Sequence, residues 1–370
     1  MTACHLSREE CFIGDPQSLE DKSIPKLQRI SVVTEKEVVV LPSFDKQKFR
    51  VRTFIMFCDK TLAFDHSLSK KLSYVRVLDL GGSSLQNIPD YIGSLIHLRL
   101  LILSSTNISC LPESIGLLKN LQTLSLQNCV ALHNLPLALT RLCNLRHLLL
   151  RGTPINKVPK GLARLKFLNT VEGFQIGGDS DNSSKMQDGW NLEELGPLLQ
   201  LRKLNMIKLE RAAPYSADPI LMNKKYMSTL ELWCTECTDK PYSEENVTNI
   251  EKISEQLIPP QNLEIYFPTW LDIATHLSAL KLLQLVDCKS CVHLPPVGQL
   301  PNLKYLKIMG ANAVTTIGSE FVGCGEVKEG EENGSAVKQK GEAPPPRMWL
   351  LPSLKNLDLM RCPKLRALPA

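Results

Sequence analysis

The sequence predicts an α/β solenoid, in which a short strand and a return segment alternate along the chain. Three observations on the 370 residues carry this prediction. The pattern L-x-x-L-x-L recurs every 23 or 24 residues. An aliphatic residue followed by proline recurs in step with it, and so does a segment of the form aliphatic-x-x-Leu. Three landmarks that keep one frame through four consecutive copies indicate equivalent units that stack on one another.

The strongest copies lie in the first half of the chain. Their strand segments are Val75–Leu80, Leu98–Leu103, Leu121–Leu126 and Leu145–Leu150. Their aliphatic-proline landmarks are Ile88-Pro89, Leu111-Pro112, Leu135-Pro136 and Val158-Pro159. Weaker copies extend the frame on both sides, to about a dozen units, and the whole pattern is that of a leucine-rich repeat.

The spacing of the leucines has a physical reason. Neighbouring side chains of a strand point to opposite faces, so the leucines of x-L-x-L face inward and the x residues face outward. A parallel strand from the next repeat, about 4.8 Å away, joins this apolar face to a continuous core. Proline ends the strand pattern. We therefore expect a horseshoe with a parallel sheet on its concave face and irregular or short-helical segments on its convex side.

A column of small side chains follows the strands. The third residue after the last strand leucine is Ser83, Thr106, Cys129, Thr153, Cys288 or Cys362 in six of the copies. Side chains of this size bond to backbone groups in tight turns. Three of the twelve cysteines are thereby explained as structural.

The regularity of the pattern divides the chain into five predicted segments. They are a polar lead-in (1–23), regular repeats (24–174), irregular repeats (175–322), a disordered insertion (323–348) and a truncated final repeat (349–370). The insertion has almost no apolar residues and ends in three prolines. The polar stretch 177–189 is predicted to be an exposed loop. Because no polar cap follows the final repeat, we expect the chain to be part of a longer polypeptide.

Composition and motifs argue against several classes of function. A net charge of +5 is too small to indicate nucleic-acid binding. No apolar run approaches the roughly 18 residues of a membrane span, and no secretory signal is recognisable, so the expected location is cytoplasmic. The sequence motifs of P-loop proteins, α/β-hydrolases and zinc proteases are absent. Neither an enzyme nor a cofactor is therefore expected.

Two Cys-x-x-Cys pairs have the ligand types of a tetrahedral zinc site, Cys234 with Cys237 and Cys288 with Cys291. The pairs are 51 residues apart and fall in different repeats. Cys288 also belongs to the turn column. Structural thiols are therefore favoured over zinc, and no metal site is predicted.

Outward-facing residues are the candidates for binding. The residue after the first leucine of each copy forms a column that reads Gln28, Arg52, Arg76, Arg99, Gln122, Arg146 and Asn169. Like charges on neighbouring strands cost some tenths of a kcal/mol each. An acidic partner would relieve this repulsion, because the guanidinium group suits carboxylates. In the alternative interpretation, the long side chains simply spread apart into water.

Other outward positions supply the remaining candidates. Ile102 and Leu149 mark a contact surface, or they are scattered surface hydrophobes. The late repeats present a basic, partly aromatic face that suits a protein ligand or is simply solvated. Its candidate residues are Lys281, Gln284, Lys304, Tyr305, Lys307, Lys355 and Asp358.

Taken together, these features resemble the leucine-rich-repeat part of plant intracellular immune receptors of the coiled-coil, nucleotide-binding type. In the early repeats the resemblance rests on Leu145-Arg-His-Leu148 with Ile155 and Val158-Pro159. The late carriers are Leu285-Val-Asp-Cys288 with 294–303, Leu351–Leu357 and Cys362–Leu365. The segment 25–31 resembles the linker before the family's first repeat, so the resemblance covers residues 24–370.

The resemblance implies a protein-recognition and autoinhibition module in plant defence. Early repeats would clamp the family's switch domain at rest, in cis or in trans, and late repeats would sense a pathogen protein or a modified host protein. Candidate clamp residues are Arg52, Arg76, Arg99, Arg146, His147 and Arg151. The family's P-loop and Met-His-Asp motif are missing from the chain, so nucleotide switching is not assigned to it.

Two other functions remain open on the sequence. The chain could be a stand-alone cytosolic scaffold for signalling proteins, or the substrate-reading half of a ubiquitin ligase. The second would be supported by an F-box or similar adaptor, and none is recognisable in residues 1–23.

Overall fold

A computed structural model defines the fold, and the chain divides into two compact units, Met1–Tyr215 and Ser216–Ala370. The residues that it describes are 10–19, 26–41, 50–57, 59–62, 70–177, 184–211, 220–221, 224–233, 280–286, 300, 302–311, 314–315 and 353–366. The insertion predicted at 323–348 and both Cys-x-x-Cys pairs lie outside these residues.

Short strands recur at the repeat interval. Those of the first unit are β1 (Cys11–Gly14), β2 (Arg29–Val32), β3 (Val38–Val39), β4 (Thr53–Met56), β5 (Thr61–Leu62), β6 (Val77–Asp79), β7 (Leu100–Ile102), β8 (Thr123–Ser125), β9 (His147–Leu149), β10 (Val158–Pro159), β11 (Thr170–Gln175), β12 (Met186–Gln187) and β13 (Lys203–Ile207). Those of the second unit are β14 (Thr229–Trp233), β15 (Leu282–Val286), β16 (Tyr305–Met309) and β17 (Asn356–Met360).

The main sheet of the first unit is parallel and runs in the order β1-β2-β4-β6-β7-β8-β9-β11-β13. Equivalent leucines lie side by side, since Leu78 pairs with Leu101, Leu101 with Leu124 and Leu124 with Leu148. All four are fully buried. In the second unit β14 to β17 form a parallel sheet with the same arrangement. The predicted parallel sheet with inward leucines is therefore confirmed.

The return segments contain 3₁₀ helices, and every helix that lies wholly within the described residues is of this type. Their bounds are Pro16–Ser18, Asp90–Ser94, Glu113–Leu117, Leu137–Arg141, Leu162–Arg164, Leu192–Leu195 and Leu209–Arg211. None of the helices in this part of the chain has the length and apolar character needed to cross a lipid bilayer.

Successive 3₁₀ helices stack closely. A Cβ atom on Gly93 would lie 2.6 Å from the carbonyl oxygen of Ser114 in the next repeat, so the stack needs glycine there. The Glu113 carboxylate accepts hydrogen bonds from the backbone N–H groups of Leu137 and Ala138, both at 2.9 Å. These N–H groups begin the next helix and have no partner within it, so the carboxylate caps a neighbouring repeat.

The predicted turn column also forms. The hydroxyls of Ser83 and Thr106 donate to the carbonyl oxygens of Leu80 and Leu103, each at 2.6 Å. The Cys129 thiol donates to the same Leu103 carbonyl at 3.1 Å. Small side chains thus hold the backbone where each strand ends.

Sequence reasoning missed a second column beside the first. The residue two after the last strand leucine has a positive φ, as at Gly82 (72°), Ser105 (57°), Asn128 (56°) and Gly152 (73°). Glycine and asparagine tolerate this left-handed conformation better than other residues. The chain therefore turns out of these four strands through one left-handed residue.

Part of the stretch 177–189 is not the exposed loop that the sequence predicts. Strand β12 pairs antiparallel with β10, and Trp190 just beyond it is fully buried. The indole stacks on Phe174 at 5.3 Å between ring centroids, and its Nε1 donates to the carbonyl oxygen of Pro159 at 3.1 Å. The prediction was wrong for Met186, Gln187 and Gly189, because a buried aromatic anchor outweighs a polar, glycine-containing composition, whereas Ser184, Lys185 and Asp188 are exposed.

Candidate protein-binding face

The strands of the first unit present two columns of side chains away from the core. The first-position column is Cys11, Arg29, Thr53, Val77, Leu100, Thr123, His147, Thr170 and Lys203. The third-position column is Ile13, Ser31, Ile55, Asp79, Ile102, Ser125, Leu149, Glu172 and Asn205. Because the side chains alternate, these columns form the outward face of the sheet.

The predicted arginine column lies at the rim of this face. Arg52, Arg76 and Arg99 are all exposed, but each stands one residue before its strand, at the N-terminal edge of the sheet. The backbone N–H of Arg76 donates to the Arg52 carbonyl at 2.7 Å, and that of Arg99 donates to the Arg76 carbonyl at 2.8 Å. The three residues are therefore one strand apart. We call them the arginine row.

The arginine row has no compensating side chain among the residues that the structure describes. Among the residues that the structure describes, no hydrogen bond or ion pair engages these three guanidinium groups. Some other cations of the first unit are paired, for example Lys36 with Asp15 at 2.6 Å and Lys157 with Asp188 at 2.5 Å. The row is thus a local concentration of positive charge at the rim of the face.

Arg151, another clamp candidate, belongs to a different environment. The Glu172 carboxylate accepts from Gln127 Nε2 at 2.9 Å and lies 2.8 Å from Lys203 Nζ and 3.7 Å from Arg151 Nε. Glu172 is almost fully buried, so these groups compensate its charge. We call this group the Glu172 network, and the charges of its members compensate one another.

A β-bulge supports the Glu172 network. The register between β11 and β13 shifts between Glu172 and Phe174, and Gly173 there has a φ of 77°. Its N–H donates to Asn205 Oδ1 at 2.9 Å. Bulges often redirect side chains at functional surfaces, and only glycine adopts this backbone without strain.

His147 and Arg146, the remaining clamp candidates, lie between the two regions. Arg146 is exposed at the same rim, beyond Gln122. His147 Nδ1 lies 3.0 Å from the Thr170 hydroxyl. Burial lowers the pKa of His147 below its ordinary value of 6.5, and the positive charge of Arg146 lowers it further. The imidazole is therefore neutral at pH 7.

The apolar part of the face is larger than the sequence predicts. Ile102 and Leu149 face outward as predicted and are half-buried. Toward β1 the face also carries Ile13 (73% exposed), Val33 (50%) and Phe57 (65%). Sequence reasoning missed these residues because the first copies match L-x-x-L-x-L only weakly. Side chains alternate between the two faces of a strand, so once Ile30 and Val32 are placed inward, the residues between and beside them are placed outward.

The candidates of the second unit also fall into rows. Lys281, Lys304 and Lys355 stand one residue before their strands, and each backbone N–H of the later two donates to the preceding lysine carbonyl at 2.9 Å. Tyr305 is exposed on the outward face. Gln284, Lys307 and Asp358 share one column, in which Lys307 Nζ lies 3.9 Å from Asp358 Oδ2. A basic, partly aromatic face is therefore present, as predicted. Within the described part of the chain, no three His, Cys, Asp or Glu side chains cluster as metal ligands.

A stack of parallel strands with inward leucines, 3₁₀ return segments and a polar turn column defines a leucine-rich-repeat protein. The family model described as "Leucine-rich repeat region" matches residues 50–330. The chain belongs to this family.

Two relatives have names that refer to plant disease resistance. The chain is 33% identical over 314 residues to the putative disease resistance protein RGA4 of Solanum bulbocastanum, which covers 82% of this chain and 30% of that protein. It is 30% identical over 210 residues to the putative disease resistance RPP13-like protein 1 of Arabidopsis thaliana, which covers 48% of this chain and 19% of that protein. The chain thus spans less than a third of the length of either relative.

One solved structure shows the same fold. A leucine-rich-repeat protein of Leptospira interrogans superposes with a TM-score of 0.56 and 18% sequence identity, over 100% of this chain and 86% of that chain. At this identity the likeness concerns the fold alone.

Proposed function

We propose that the chain is a protein-recognition and autoinhibition module of a plant defence receptor. In this role its early repeats hold a nucleotide-binding switch domain at rest, and its late repeats sense a pathogen effector or a modified host protein. The compartment is the cytoplasm, and the partners are proteins. The names of the relatives support the defence context, and the repeat fold supports recognition through a surface.

The observation that carries the proposal is the arginine row. Three exposed guanidinium groups stand on consecutive repeats without an ion partner among the described residues. Their mutual repulsion is relieved when a partner supplies carboxylates, and guanidinium groups bind carboxylates in a bidentate geometry. The Glu172 network, by contrast, is compensated internally. The face therefore favours an acidic protein surface at the rim near β4 to β7.

We assign no catalytic step to the chain. Two charged groups of the outward face, Glu172 and Lys203, are bonded to each other. A face of this kind acts through shape and charge complementarity.

Charge reversal of the arginine row tests the clamp. The native polypeptide that contains the chain is expressed in leaf tissue with Arg52→Glu, Arg76→Glu and Arg99→Glu together. We expect ion leakage without any pathogen to rise well above the wild-type level at equal protein abundance. The matched control reverses Arg141, Arg164 and Lys166, which are exposed on the return side. Unchanged resting leakage in the row variant, or equal leakage in the control, would contradict the clamp.

A further inference from the structure

The outward face near β1 carries several apolar side chains on neighbouring strands. Ile13 and Ile55 flank Ser31 in one column of the pairing register. Val33 and Phe57 occupy the next outward position of β2 and β4, and they are neighbours because Phe57 N donates to the Val32 carbonyl at 2.9 Å. We call Ile13, Val33, Ile55 and Phe57 the apolar cluster. Exposed apolar side chains that adjoin one another mark interaction sites, in contrast to single scattered ones.

The cluster continues toward β7 past a residue that has no side chain. The residue beside Phe57 in the register is Gly81, which has no side chain. A Cβ atom there would lie 3.4 Å from Ile102 Cγ2 and 3.2 Å from Asp79 Oδ1, so both side chains border this position. Ile102 extends the apolar surface on the far side, with Leu100 in the same strand. Apolar side chains therefore recur across the strands, along the direction of repeat stacking, on both sides of Asp79.

The arginine row runs parallel to this apolar surface. Arg52 precedes Ile55 by three residues, a separation of about 10 Å along a strand. The two rows of side chains, which we call the two lanes, are therefore parallel. The cationic lane lies at the rim and the apolar lane on the face. A ligand that engages both lanes must present carboxylates along one side and large apolar side chains along another.

We propose that these two lanes bind an amphipathic helix that carries an acidic stripe and lies across the strands. Helix positions three or four apart are about 5–6 Å from each other, which matches the strand spacing of about 4.8 Å that separates the arginines. A helix is about 10–12 Å wide with its side chains, which matches the distance between the lanes. An extended peptide repeats on one side at about 6.6 Å and would fall out of step with the arginine row.

The charge of the chain argues against a second copy as the occupant. Each chain carries a net charge of +5, so two copies repel each other. This inference rests on the proposed recognition function and adds the chemical class and secondary structure of the partner.

Selection from a helical display library tests the proposal on the full chain. The library presents one exposed helix of a rigid three-helix scaffold with its outer face randomised. We expect enriched helices to carry Asp or Glu at i, i+4 and i+7 beside a stripe of Leu, Ile, Phe or Met. Their affinity should weaken with salt, and about tenfold in Arg76→Glu and in Phe57→Ser. No enrichment, or enriched helices that lack the acidic stripe, would overturn the proposal.

Matched variants control for folding and position. Arg141→Glu and Phe167→Ser change similarly exposed residues outside the lanes and should leave the affinity within about twofold. Circular dichroism and the urea midpoint establish that each variant is folded, and Ile13→Ser replaces Phe57→Ser if the latter is not. Full competition by single-stranded RNA would overturn a protein ligand. Binding of the selected helix together with unchanged resting leakage in leaf tissue would retain the two lanes and reject the clamp.

Discussion

At the scale of single residues, the turn after each strand depends on one small side chain bonded to a carbonyl. At Cys129 this side chain is a thiol, and burial raises its pKa above the ordinary value of 9.0. The sulfur therefore stays protonated at neutral pH, and the thiolate is the reactive form. Cys110 and Cys143, in contrast, are exposed.

This contrast predicts selective alkylation of the native protein. With iodoacetamide at pH 8, mass spectrometry should find Cys110 and Cys143 modified within minutes, while Cys129 reacts only after denaturation. Burial of the sulfur and protonation of the thiol both slow the reaction at Cys129, so the difference in rate should exceed about a hundredfold. Labelling of Cys129 at the rate of Cys110 would mean that the turn opens readily in the folded state.

Lys224, in the second unit, is a fully buried residue whose pKa is lowered from 10.5 to about 8 by burial. The folded protein then holds this proton more weakly than the unfolded chain does. The free-energy cost of burying the charged side chain is complete below about pH 8 and disappears as the pH rises through 10.5. This residue therefore makes the stability of the fold rise with pH over that window.

Replacing Lys224 by Met tests this assignment. The unfolding free energy of the wild type, measured by urea denaturation, should rise relative to that of Lys224→Met between pH 8 and 10.5, by at most about 3 kcal/mol. Lys225→Met, at an exposed neighbour, is the control and should show no such trend. A constant difference between the wild type and Lys224→Met across this window would show that burial does not lower the pKa of Lys224.

At the scale of elements, two glycines with nearly equal backbone angles have different surroundings. Gly82 has a φ of 72° and no atom within 4 Å of an added Cβ. Gly173, in the bulge of β11, has a φ of 77°, and an added Cβ would lie 3.0 Å from both the carbonyl carbon and the carbonyl oxygen of Leu150. Gly82 is required only by the backbone conformation. Gly173 is required by the backbone conformation and also by the closeness of the neighbouring strand.

Alanine at each position separates these effects. Gly82→Ala should cost about 1 kcal/mol of unfolding free energy, the cost of a left-handed non-glycine residue. Gly173→Ala should cost about 1–3 kcal/mol more, because backbone atoms at the end of β9 must move. Urea denaturation measures both values. Equal losses would mean that the bulge shifts freely and does not fix the Glu172 network.

At the scale of the whole molecule, the sequence predicted the features that repeat. The inward leucines, the parallel strands and the Ser83–Thr106–Cys129 column follow from a period of 23 or 24 residues, since each position recurs in an equivalent environment. The exposure of Arg76 followed in the same way. The place of the arginine row at the rim did not, because periodicity does not show where a strand begins.

Features that arise once could not be predicted in this way. The bond between Gln127 and Glu172 joins residues 45 positions apart, about two repeat intervals. The left-handed turn residue is glycine at Gly82 but lysine at Lys208, so its composition carries little signal. The apolar cluster was missed because Phe57 lies in a weak copy. The apolar part of the candidate site therefore lies in copies that match the repeat weakly, whereas Arg76 and Arg99 lie in strong copies.

The position of a strand in its stack also predicts its local stability, because a repeat contacts only its neighbours. Leu101 of β7 is fully buried between strands on both sides, whereas Leu357 of β17 is 38% exposed. Amide hydrogens of β7 should therefore exchange more than about tenfold more slowly than those of β17. This factor corresponds to a difference of about 1.4 kcal/mol in the free energy of local opening. The interior strand β15 of the second unit serves as the control and should exchange like β7. If β15 instead exchanges as fast as β17, the second unit opens as a whole, and local stability follows the unit rather than the position of the strand.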